Sequence, residues 1–246
     1  MLRKPAEALA RQIVSDLPNQ LLEDDKRLRI GISPGFLSLD SVSPWVRPSG
    51  PLWLCAQDIA AQDQGAYTGE VGPEMLQEAG VKCAIVGHSE RRNHFREADT
   101  LVASKLQAAL KAGLTCVLCV GEPLQARTAN KHETYVISQL STAFHHLVDE
   151  LCTDRLVIAY EPVWAIGTGK TATPAQAGAM HRTIRAWMLE RFGTAGTDRS
   201  IMYGGSVKPA NAAELMAASD IDGFLVGGAS LDASKFLDIV HAAANA

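Results

Sequence analysis

The feature that most narrows what this chain can fold into is an alternation. Seven short apolar runs, Leu28–Ser33, Leu52–Asp58, Cys83–His88, Thr115–Glu122, Leu156–Glu161, Ile201–Gly205 and Phe224–Gly228, are separated for the most part by helical patterns. Those patterns cover Pro73–Ala79, Ala98–Ala112, Lys131–Cys152, Pro174–Phe192 and Pro209–Ala218, and one more spans residues 5–17 ahead of the first run. In that leading stretch Pro5 suits a first turn, and Leu9, Ile13 and Leu17 recur on one face. Strands alternating with helices build βα units and a parallel sheet. The nearly unbroken apolar character of the runs fits strands covered on both faces.

An open doubly wound sheet and a closed (β/α)8 barrel both satisfy that alternation. The barrel is favoured by where the chemically useful residues fall. Gln57, His88, Glu122, Glu161, Ser206 and the pair Gly227-Gly228 lie at the C-terminal ends of different runs. A barrel gathers all those ends on one face, whereas an open sheet offers a crevice at one switch point. No G-x-G-x-x-G frame is present, and Gly167-Thr-Gly-Lys170 lacks the upstream glycine of a P-loop. The 246 residues are expected to form a single barrel domain, residues 1–246.

Glu161 closes the run Leu156–Tyr160, and Pro162 stops the strand because it has no N–H to donate. A loop with an apolar tip follows (Val163, Trp164, Ala165, Ile166), then Gly167 and Gly169. A carboxylate beside a closable apolar loop suits a general base in a site that excludes water, although a capping glutamate on a surface loop reads the same locally. His88 ends another run, and Ser89 is expected to cap the next helix, keeping the imidazole neutral at a positive helix end and able to polarise a carbonyl. A strand-end histidine is more often a satisfied core residue, but Glu161 on the same face makes the two acid–base companions. Gly204-Gly205 and Gly227-Gly228 end the last two runs. Such pairs serve either tight turns or a backbone cradle for phosphate, and the two together favour phosphate.

A formal charge of −4 with no basic run argues against nucleic-acid or membrane-surface binding. The five cysteines, Cys55, Cys83, Cys116, Cys119 and Cys152, fall mostly inside apolar runs and read as reduced core residues of a cytoplasmic protein. No signal peptide or membrane span is visible, and no metal site is expected.

Four blocks in order carry a resemblance: Gly65–Glu70, Val86–Arg92, Ala159–Lys170, and Tyr203–Val207 together with Gly227-Gly228. On them the chain resembles the triosephosphate isomerase family, from the first helix to the C-terminus. The resemblance implies a TIM barrel, a cofactor-free interconversion of dihydroxyacetone phosphate and D-glyceraldehyde 3-phosphate, and a homodimer. It makes Glu161 the base that moves a proton between adjacent carbons and His88 the electrophile that stabilises the enediolate. It makes Glu90 a supporting carboxylate, and gives Gly167, Ser206, Gly227 and Gly228 to the substrate phosphate. The loop Gln57–Glu70 would grip a second subunit, with Thr68 reaching toward its site.

One departure stands against the pattern. The family begins with a strand ending in Asn-x-Lys, whereas this sequence runs from Met1-Leu-Arg-Lys-Pro5 into the first helix, so seven strands are expected, with the first strand and its lysine missing. Lys4 reads as a solvated lysine. The chain as written is therefore expected to form most of a barrel, with open edges at Leu28–Ser33 and Phe224–Gly228, and to turn over poorly. Loss of one preorganised donor to an oxyanion typically costs about 3 to 4 kcal/mol. A catalytically silent barrel that binds triose phosphate or acts as a scaffold is the alternative, and another phosphate-handling barrel enzyme ranks third.

Overall fold

The structure is a computed structural model, and it describes residues 1–18, 28–46, 52–145, 147, 155–166, 171–218 and 220–245. Seven strands form one sheet: β1 Ile30–Ile32, β2 Leu52–Ala56, β3 Cys83–Val86, β4 Thr115–Val120, β5 Leu156–Tyr160, β6 Ile201–Tyr203 and β7 Gly223–Phe224. All neighbours are parallel and follow chain order, as right-handed βα units dictate. Among the described residues β1 and β7 are the sheet's two ends and do not pair with each other. The helical layer does meet across that seam, because the first helix, Arg3–Asp16, packs on the last, Ala233–Ala244. The expected α/β barrel architecture is what the chain adopts, and seven strands are seen among the described residues. Lys4 lies exposed inside the first helix, and Met1 and Leu2 pair with no strand.

Successive strand residues face opposite sides. Leu54, Ala84, Leu118, Ile158 and Ile201 join the main core beneath the helices. Cys55, Cys83, Val117, Cys119 and Ala159 form a second, inner cluster of mostly small side chains. Cys55, Cys83, Cys116 and Cys119 are free thiols and buried, as expected, while Cys152 lies outside the described residues. Among the described residues no helix is long and apolar enough to cross a membrane.

Every pairing stretch ends sooner than its apolar run. β3 stops at Val86, two residues before His88, and β5 stops one before Glu161. The residues between the last ladder pair and the end of each run turn into the loops, some buried as at Glu122 and Glu161 and others exposed as at Gln57 and Gly227, so composition overestimates strand length. The helix expected over Lys131–Cys152 is seen from His132 to Phe144, with residues 148–154 outside the described set. Pro174–Phe192 matches its expected bounds: Thr173 and Gln176 form a capping box, and Gly193 ends the helix at φ 62°.

Candidate active site

Glu161 is the most constrained side chain at the C-terminal ends of the strands. Its carboxylate is 2% exposed and holds both oxygens in use. Ser89 donates its main-chain N–H to Oε2 at 2.9 Å and its hydroxyl to Oε1 at 2.8 Å, while His88 Nε2 lies 3.2 Å from Oε1. Burial raises the Glu161 pKa above the usual carboxylate range, outweighing the opposing pull of His88 and the Ser89 bonds. The carboxyl is thus a stronger base than a solvated glutamate, as a proton acceptor requires.

The histidine and the serine exchange their expected jobs. His88 occupies the N-cap of the short helix Ser89–His94, and its Nδ1 accepts the Glu90 N–H at 3.4 Å. Ser89, expected as the cap, sits inside the first turn and binds Glu161 instead. With Nδ1 accepting, the ring proton belongs on Nε2, which faces Glu161 and can donate. The Glu90 carboxylate stands on the other side of the ring, 3.8 Å from Nδ1, with its side chain 72% exposed. The structure therefore brings His88 and Glu161 together and leaves Glu90 at the rim.

Two salt-bridged clusters, of which the sequence marks only Glu122 as a strand-end residue, hold these elements in place. Arg91, from the histidine's helix, reaches Asp58 at 2.9 Å and Glu97 at 2.7 Å, and buried Lys105 bridges the same two carboxylates at 2.8 and 2.6 Å. This fastens the His88 helix to the end of β2. On the far side Glu122 is fully buried and accepts from the Tyr160 hydroxyl at 3.1 Å and Arg127 at 3.2 Å. The Arg127 guanidinium also lies over the Trp164 ring, 5.1 Å from its centroid. In this way the loop after Glu161 is tied to β4 through Trp164. Trp164 and Ala165 are buried and Ile166 is exposed, so only part of the expected apolar tip faces outward.

Glycines set the space around Glu161. A Cβ at Gly121 would run into the Glu161 carbonyl, and one at Gly204 would sit 3.0 Å from Glu161 Cγ. Burial raises the pKa of the Cys119 thiol well above its usual value, and the negative charge of Glu161 pushes it the same way, so the thiol stays protonated.

The opposite side of the mouth is open. Ser206, Gly227 and Gly228 are all exposed, and nothing within 4 Å would meet a Cβ at either glycine. Gly228 starts a 3-10 turn to Leu231, and the Ser206 carbonyl accepts from Asn211 at 3.0 Å. Gly167 lies outside the described residues. Gln57 donates to the Ser33 carbonyl at 2.9 Å, Asp58 to Ala60 are buried within the chain, and residues 63–70 are exposed.

Most of the chain is similar to known proteins. Residues 4–243 match the profile of the family described as triosephosphate isomerase. A triosephosphate isomerase of Roseiflexus sp. (strain RS-1) is 48% identical over 233 residues, 94% of this chain and 91% of the relative. One from Chloroflexus aurantiacus is 50% identical over 94% of this chain and 92% of the relative, and one from Thermus thermophilus is 50% identical over 76% and 75%.

Proposed function

Because the chain belongs to the triosephosphate isomerase family, and is an isomerase with it, we propose how its own residues interconvert dihydroxyacetone phosphate and D-glyceraldehyde 3-phosphate. Glu161 takes a proton from C1 of the ketone, the C–H electrons form a C1–C2 double bond, and the charge moves to the C2 oxygen. His88 donates from Nε2 to that oxygen and stabilises the enediolate. The proton then returns from Glu161 to C2, and an oxygen-bound proton is redistributed to leave the aldehyde. The observation that carries this reading is the buried carboxylate of Glu161 with His88 Nε2 at 3.2 Å.

The exposed backbone at Ser206, Gly227 and Gly228 is suited to the phosphate, together with Gly167, and Glu90 supports His88 from the rim. The segment from Pro162 closes over bound ligand, for which the exposed Ile166 beside buried Trp164 is the support. A homodimer through Gln57–Glu70 would cover the exposed residues 63–70, including the half-exposed Tyr67, and carry Thr68 to the partner's site. Four buried free thiols suit a reducing cytoplasm. The test is a coupled assay in both directions on the full chain. Turnover of both triose phosphates is expected, and its absence at micromolar enzyme would overturn the reading.

A further inference from the structure

Gln139 sits in the middle of the helix His132–Phe144, on the face that also buries Val136, Leu140, Ala143 and Phe144. It is 5% exposed, and a primary amide in such surroundings is costly unless it is bonded. Its Oε1 accepts the N–H of Gly121 at 2.8 Å. That N–H and the carbonyl of Val120 belong to one peptide group. The carbonyl accepts the main-chain N–H of Glu161, also at 2.8 Å.

A single peptide plane therefore connects the helical layer to the backbone of the base. Its N–H is held by Gln139 and its C=O holds Glu161, so each bond polarises the plane in favour of the other. The Tyr160–Glu122 bond and the Gly204 N–H to the Tyr160 carbonyl also fix this end of the β4–β5 ladder, but the Val120–Gly121 peptide is what holds the main-chain N–H of Glu161. Pro162, the next residue on the Glu161 side, has no N–H to continue it. Gly121 lies so close to the Glu161 carbonyl that no Cβ fits between them. Rotation of the plane would thus be passed directly to Glu161.

We propose that Gln139 is a positioning residue for the isomerisation: it orients the Val120–Gly121 peptide and, through it, the backbone from which Glu161 reaches the substrate. The inference rests on the proton transfer assigned above to Glu161. A misplacement of about 1 Å in a reacting group costs roughly 10²-fold, so a fraction of that shift is worth about tenfold.

The test compares the full chain with Gln139→Met, which keeps length and loses the acceptor, and Gln139→Glu, which keeps an oxygen at the same place. Expected for Gln139→Met is a kcat about tenfold lower with KM within about twofold, since an interaction that matters at the transition state is weakened. The acid limb of its pH profile should move down, as a loosened carboxylate takes up water. Gln139→Glu should recover most of kcat. If Gln139→Met does not fold, Gln139→Asn, whose oxygen is withdrawn by one methylene, takes its place with the same expectation. Unchanged kcat and pH profile in the acceptor-free variant, even with lower thermal stability, would overturn the role of Gln139 alone. Absence of turnover in the unsubstituted chain would overturn the functional reading first and this inference with it.

Discussion

The ends of β3, β4 and β5 and the ends of β6 and β7 open on the same side of the sheet but are built in opposite ways. Around Glu161 both carboxylate oxygens are bonded, glycines at 121 and 204 leave no spare volume, and salt-bridged clusters fasten the flanking elements. Around Ser206, Gly227 and Gly228 the backbone is exposed, and both of those glycines face open space. The difference fits the functions proposed above for the two regions. Proton transfer needs a desolvated base held to a fraction of an ångström, whereas a phosphate arrives with its own charge and needs only accessible donors.

The largest break of that contrast is Glu161→Gln. It is isosteric and keeps the packing, but the side chain cannot accept a proton. A fall in kcat of about 10³-fold or more is expected, with KM little changed. A loss confined to KM would mean that Glu161 only binds.

Next comes Gly121→Ala, whose new methyl meets the Glu161 carbonyl, a backbone atom with nowhere to move. Destabilisation of more than about 3 kcal/mol in chemical denaturation is expected, by the overpacking mechanism. The paired substitution Gly228→Ala enters open space and should change stability by less than about 0.5 kcal/mol, while weakening triose-phosphate binding. Equal destabilisation by the two would erase the distinction between the regions.

A third test is pH. Because burial raises the Glu161 pKa, the acid limb of kcat/KM should lie above the ordinary carboxylate range, with activity falling as pH falls through it. The stability contribution has the opposite sense. A raised carboxyl favours folding while protonated, so its contribution is full below the unfolded pKa and is lost as pH rises through the folded value. An acid limb at the pKa of a solvated glutamate would show that the base is not desolvated.

The smallest expected effect concerns the loop. Hydrogen exchange over Pro162–Ile166 should slow by about tenfold or less when a triose-phosphate analogue binds, because Trp164 and Ala165 are already packed in this state. Identical protection with and without the analogue would remove the closing motion.

Much of this was legible in the sequence, for physical reasons. The order of strands follows from apolar runs that alternate with helical stripes, and a parallel order puts all the strand ends on one side. His88 and Glu161 were recognisable as partners because each terminates its own run. What sequence did not reveal depends on approach in space. Ser89 looked like a helix cap, since nothing local says that a carboxylate 72 residues away will take its hydroxyl and N–H. Gly204 was readable as a turn or a phosphate cradle, but its neighbour is Glu161 Cγ, which no local pattern announces. Gln139 was invisible inside a helical stripe. The last helix, Ala233–Ala244, does carry a local signal, with Asp232 as its N-cap and Phe236, Leu237 and Val240 at helical spacing.

The most direct measurement is solvent-proton exchange. Dihydroxyacetone phosphate is incubated with the protein in deuterium oxide, and deuterium at C1 is followed by proton NMR. This reads removal and return of the proton at carbon without requiring net isomerisation. Incorporation by the unsubstituted chain, lost by about 10³-fold or more in Glu161→Gln, is the expected result. Incorporation at the same rate in both would contradict the assignment of Glu161 as the base.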